Sequence, residues 1–169
     1  GDGNTITRIA MLQDALKLLA ADLASHDGTI NLKLIGLEYE VVVEFAVNDL
    51  QPNSQGYLDL INTIENELDA DNGGTGYDDA LSAANTWFDT QTVDSNTENL
   101  TFFLTDGQPA NSTVEDALTE FAELSTKSSV MAIGIGNDIN DSILKFFDNT
   151  SSIGFDIKVN DEYLEKNKC

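Results

Sequence analysis

Leu100-Thr101-Phe102-Phe103-Leu104-Thr105-Asp106-Gly107-Gln108-Pro109 decides the fold class of this chain. Leu100 to Leu104 is a short, nearly unbroken apolar run, and Asp106-Gly107 ends it with a turn. A strand wetted on one side alternates apolar and polar residues. A strand covered on both faces has no such need, and strands of that kind gather in parallel sheets. The same form returns at Ser129-Val130-Met131-Ala132-Ile133-Gly134-Ile135-Gly136. Between the two runs, Val114, Leu118, Phe121 and Leu124 recur at helical spacing. Strand, helix and strand in that order predict one crossover unit of an α/β sheet.

Upstream, Leu81, Ala84, Trp87 and Phe88 place an apolar stripe on a helix that follows Gly73-Gly74-Thr75-Gly76, and Thr90 to Glu98 forms a polar loop. Leu58, Ile61, Ile64 and Leu68 predict a further amphipathic helix after the loop Gln51-Pro52-Asn53-Ser54-Gln55-Gly56. Ahead of that loop, Ile30, Leu32 and Leu34 alternate with polar residues, and Val41 to Val47 is rich in β-branched residues. These read as two adjacent strands, the second antiparallel to the first. Ile9, Leu12, Leu16, Leu19 and Leu23 mark a first helix, stopped by Asp27-Gly28. Downstream, Ile143, Leu144, Phe146 and Phe147 belong to a helix capped by Asn140, and Phe155 to Val159 is an edge-strand candidate. The pattern predicts a single domain over residues 1–169, built as a doubly wound, open, mostly parallel sheet flanked by helices. Such a sheet normally begins with a central strand, whereas Gly1-Asp2-Gly3-Asn4 leads directly into a helix. The expectation is a sheet whose N-terminal central strand lies outside these residues, leaving an apolar gap in its middle.

With 169 residues and 41% apolar content the chain can bury a proper core. Thirty acidic residues against eight basic ones give a formal charge of −22. Nucleic acid and anionic membrane surfaces are therefore repelled, and cations are the expected partners. Cys169, the single cysteine, excludes an internal disulfide framework and a zinc-thiolate site. No apolar run approaches the length of a membrane span, so direct membrane insertion is not expected, and the first residues carry no signal-peptide pattern. His26, the single histidine, lies in the turn-like Ser25-His26-Asp27-Gly28 and reads as a surface imidazole.

Two loops carry candidate chemistry. Gly73-Gly74-Thr75-Gly76-Tyr77-Asp78-Asp79-Ala80-Leu81 puts the Thr75 hydroxyl at the start of a helix, and Asp106 puts a carboxylate at the end of a covered strand. Both are hard oxygen donors of the kind Mg²⁺ and Ca²⁺ prefer. The plain alternatives are a helix N-cap for Thr75 and a turn residue for Asp106. Asp69-Ala70-Asp71-Asn72 and Asn137-Asp138-Ile139-Asn140-Asp141 lack the glycine and terminal glutamate of a helix-loop-helix calcium loop. Gly73 to Gly76 has no following lysine, which excludes a phosphate loop.

Gly73-Gly74-Thr75, Leu104-Thr105-Asp106-Gly107 and Ala132-Ile133-Gly134-Ile135-Gly136 occur in the order and approximate spacing of a von Willebrand factor A domain, and Thr7 to about Phe147 resembles that family. Arg8-Ile9 and Asp79-Ala80-Leu81 are similar to it as well. The resemblance implies a metal-ion-dependent adhesion site in which Thr75 coordinates Mg²⁺, Ca²⁺ or Mn²⁺ and Asp106 holds it directly or through water. It further implies a rim of Gly74, Tyr77, Gln108 and Pro109, with Tyr77 as the aromatic contact, and a protein or peptide ligand that offers an acidic group. The family's first metal loop, Asp-x-Ser-x-Ser, does not occur in these residues. Either an N-terminal piece or a companion polypeptide is then expected to supply it. The implied role is adhesion at an extracellular, bacterial surface. An intracellular scaffold of the same fold and a metal-assisted hydrolase are the rivals, and the hydrolase lacks a histidine, lysine or arginine in the motifs.

Overall fold

A computed structural model describes residues 7–37, 41–68, 76–105, 111–135, 148–149 and 158–159. Helix α1 spans Arg8–Ala24, and its N-cap Thr7 accepts a hydrogen bond from the Ala10 N–H at 3.2 Å. Gly28, with φ +105°, lies in the left-handed region just beyond, where the sequence places the stop. Strands β1 (Leu32–Leu37) and β2 (Val41–Val47) pair antiparallel, from Leu32↔Val47 to Gly36↔Val43, as their alternation predicts.

Helix α2 covers Gln55–Asn66 and starts before the expected Leu58. The reason is Ser54, whose hydroxyl accepts from the Tyr57 N–H at 3.2 Å and donates to the Gln51 carbonyl at 2.8 Å. Helix α3 (Tyr77–Asp89), strand β3 (Leu100–Thr105), helix α4 (Asn111–Lys127) and strand β4 (Ser129–Ile135) follow as predicted. Strand β5 is Lys158–Val159, inside the expected edge strand. The helix expected at Ile143 to Phe147 lies outside the described residues, as do Phe155 to Ile157. On α4 the buried stripe differs from the expected one. Ala117 and Leu124 are fully buried with Phe121 packed against their cluster, whereas Leu118 is 39% exposed.

The described strands form two sheets, β1-β2 and β3-β4-β5, and the second is parallel throughout. Alternation along the strands sorts the helices onto opposite faces. Phe103, Val130 and Ala132 pack with Tyr77, Leu81 and Phe88 of α3 and Leu124 of α4. The neighbouring positions Leu104 and Ile133 turn the other way and meet Met11 of α1. In the antiparallel sheet, Leu32, Leu34, Phe45 and Val47 pack with Leu60 and Ile64 of α2 and Ala20 of α1. Lys33 and Glu44 lie on the opposite face and line a groove with Asp79, Ser82 and Thr86 of α3. Helices thus cover both faces, which is the doubly wound α/β architecture the sequence predicts. Among the described residues no strand joins β1 to β3.

Candidate metal centre

The orientation of α3 against β3 positions the two candidate loops. Tyr77, the first residue of α3, meets Phe103 in the second half of β3, with ring centroids 5.2 Å apart and an edge-on angle of 67°. At the other end, Asp89 accepts a 2.9 Å contact from Lys127 Nζ, and the Lys127 carbonyl accepts from Asn99 Nδ2 at 3.1 Å, just before β3 begins. The helix therefore runs antiparallel to the strand. Its N-terminus opens at the same end as the carboxyl terminus of β3, which is where ligands gather in open α/β sheets.

Helix α3 takes Gly76 as its N-cap, with φ −84° and ψ 67°, and no side chain caps it. Asp78 and Asp79 stand in the first turn, where free N–H groups and the helix dipole favour negative charge. Thr75 precedes the cap by one position, and Asp106 directly follows the last residue of β3. Thr75, Asp106, Gly74, Gln108 and Pro109 all lie outside the described residues.

Tyr77 is described, and its position corrects the expected rim contact. Its side chain is only 2% exposed and belongs to the cluster of Leu81, Phe88 and Phe103. A ring enclosed there presents almost no surface to a partner. The signal was legible in the helical spacing of Tyr77, Leu81, Ala84 and Phe88, which continues the apolar stripe back to the helix start.

Among the described residues, no group of three or more His, Cys, Asp or Glu side chains could hold a metal ion. The groove of about 430 Å³ between α3 and the β1-β2 sheet has an ion pair on its wall, Lys33 Nζ to Glu44 Oε2 at 3.0 Å. Its remaining lining is short and polar, apart from Val41 and Ala83.

The sequence profile of the von Willebrand factor type A domain matches residues 5–163. The chain belongs to that family. No curated protein sequence matches this VWA chain. Among solved structures it is similar to a von Willebrand factor type A protein from Catenulispora acidiphila, with a TM-score of 0.62 and 21% identity over 83% of this chain and 32% of the other. It is also similar to proximal thread matrix protein 1 from the mussel byssus with a zinc-occupied MIDAS motif, with a TM-score of 0.59 and 16% identity over 98% of this chain and 41% of the other. The manganese-loaded TRAP protein of Plasmodium vivax gives a TM-score of 0.56 and 20% identity over 98% of this chain and 65% of the other. Identities of this size establish the shared VWA fold, and the chain spans less than two thirds of each of these proteins.

Proposed function

We propose that this VWA domain is a divalent-cation-dependent binding module for a protein or peptide that offers an acidic group, working in adhesion outside the cell, at a bacterial surface. The observation that carries the reading is the antiparallel seat of α3 on β3, made by Tyr77 and Phe103. It directs the helix start after Thr75 and the strand end before Asp106 to one edge of the domain. The zinc-occupied motif of the mussel protein and the manganese-loaded TRAP protein support a metal at that edge.

The donor chemistry is compatible with a hard cation, since a threonine hydroxyl and a carboxylate are both oxygen ligands. In this reading Thr75 presents its hydroxyl from the loop entering α3, and Asp106 presents its carboxylate from the rigid end of β3. Gly74, Gln108 and Pro109 form the rim around them. Thr75 and Asp106 would hold the divalent cation, which when bound would supply the positive charge that a partner's acidic group recognises. Mg²⁺, Ca²⁺ and Mn²⁺ all suit such donors. Two protein oxygens fall short of the roughly six a hard cation takes, so water and a companion segment of Asp-x-Ser-x-Ser form complete the set. The surrounding negative charge discriminates against anions that cannot reach the metal. The module is read as a non-enzyme, because neither motif brings the general base or cationic stabiliser that metal-assisted hydrolysis requires.

Titration with Mn²⁺, followed by water-proton relaxation, tests the reading on the metal alone. The chain is expected to take up Mn²⁺ weakly, with uptake abolished by chelator and by Asp106→Ala and reduced by Thr75→Ala. Unchanged uptake in both variants would place the metal elsewhere and sink the proposal.

A further inference from the structure

Strand β4 has two edges, and they are satisfied in different ways. Its inner edge pairs with β3 from Leu100↔Ser129 to Thr105↔Gly134. On the outer edge, among the described residues, β5 pairs with Gly134 and Ile135. From the Ser128 carbonyl to the Ala132 N–H the outward backbone groups meet Asp148 and Asn149. The Asn149 carboxamide copies a peptide group: its Oδ1 accepts from the Val130 N–H at 2.7 Å, and its Nδ2 donates to the Ser128 carbonyl at 2.9 Å. The Asn149 N–H itself donates to the Val130 carbonyl at 3.1 Å. Two residues along β4, the Ala132 N–H donates to Asp148 Oδ2 at 3.0 Å. Ser128, Val130 and Ala132 are the positions whose backbone faces outward, every second residue, as the pleat requires.

We propose that Asp148-Asn149 is a strap that closes the first half of the outer β4 edge against strand addition by a second copy of this chain. The segment it guards, Val130-Met131-Ala132-Ile133-Gly134-Ile135, is apolar and uncharged, the composition from which edge-to-edge association starts. Val130 and Ala132 are fully buried with the strap in place, so their outward amides depend on it for hydrogen-bond partners. Asn149 itself is exposed, which places the strap at the surface where an incoming strand would arrive. Because Ser129 pairs with Leu100, the strap lies level with the start of β3, across β4 from it and away from the carboxyl end of β3. Its function is therefore independent of the metal reading.

Amide hydrogen exchange and sedimentation velocity on Asn149→Ala and on the Asp148→Ala, Asn149→Ala double variant test this, in salt high enough to screen repulsion between copies. The expected result is exchange faster by about tenfold or more at Val130 in both variants and at Ala132 in the double variant, the size of one lost buried hydrogen bond. Mass is expected to rise with concentration in the variants and to stay that of a single chain in the parent protein. Asn149→Asp keeps the acceptor for Val130 and loses the donor to Ser128, so exchange at Val130 is expected near the parent rate. Should the double variant not fold, Asn149→Ala alone carries both readouts. Parent-like exchange at Val130 would overturn the strap, and fast exchange with no association at any concentration would overturn its guarding role. Mn²⁺ uptake is expected unchanged in every folded variant.

Discussion

Gly36 has no room for a methyl group. A Cβ built there would lie 2.7 Å from Leu68 Cδ2 and 2.9 Å from Val43 Cβ, and Val43 is its own cross-strand partner. Leu68 could swing aside, but the Val43 Cβ is fixed to the backbone of β2. Gly36→Ala is therefore expected to destabilise the domain by about 1–3 kcal/mol, as overpacking does, and urea unfolding measures it. Parent-like stability would mean that the two strands separate easily at this point. The glycine was visible in the sequence, but its role was not, because the crowding comes from its cross-strand partner Val43 and from Leu68, 7 and 32 positions away in the chain. Tyr77 teaches the reverse lesson. Its neighbours Gly76 and Asp78 suggest a loop, and an aromatic residue beside a binding loop invites a contact role. The helix that begins at Tyr77 instead commits the ring to the Phe103 side of the core.

The start of α2 rests on Ser54, a residue that apolar periodicity does not register. The periodicity begins at Leu58, which is itself half-exposed, while the cap sits one turn earlier. Ser54→Ala removes the acceptor for the Tyr57 N–H and the donor to Gln51, with an expected loss of about 1 kcal/mol in urea unfolding. No loss would show that Gln51 to Gln55 holds its turn without the hydroxyl. The last turn of α4 is tied to α3 by Lys127, which lies 2.8 Å from Glu123 and 2.9 Å from Asp89. Hydrogen bonds that Lys127 donates to Glu123 and then to Asp89 raise its pKa above the ordinary 10.5. A raised cation contributes stability that is fully present below that ordinary value and is lost as pH rises through the folded one. Melting temperatures taken upward from pH 10.5 are expected to fall more steeply for the parent than for Lys127→Met. Equal slopes would remove the tie from the stability account. The covered strands β3 and β4 were legible because both faces are buried, which leaves a continuous apolar run. The strap on β4 was not, since Asp148 and Asn149 act at separations of 16 to 21 residues and carry no periodic signal.

Charge acts on the whole domain at once. Thirty acidic residues face eight basic ones, a formal charge of −22. Lys17, Lys33 and Lys127 are already engaged, with Asp14 and Glu65, with Glu44, and with Asp89 and Glu123. Folding concentrates the remaining carboxylates, since a chain near this length shrinks roughly twofold in radius or more, so their repulsion is larger in the native state than in the unfolded one. Salt weakens that repulsion as the screening length falls from about 10 Å at 0.1 M to about 3 Å at 1 M. The same salt weakens the surface ion pairs, but each is worth only about 0–1 kcal/mol. The net effect is a melting temperature that rises with sodium chloride, and a flat or falling curve would refute dominant self-repulsion. Magnesium chloride at equal ionic strength screens at least as well and adds any site-specific increment. If the metal reading holds, the difference between the two salts disappears in Asp106→Ala while the rise with sodium chloride remains. A difference that survives in the variant assigns the magnesium effect to diffuse binding over the acidic surface instead.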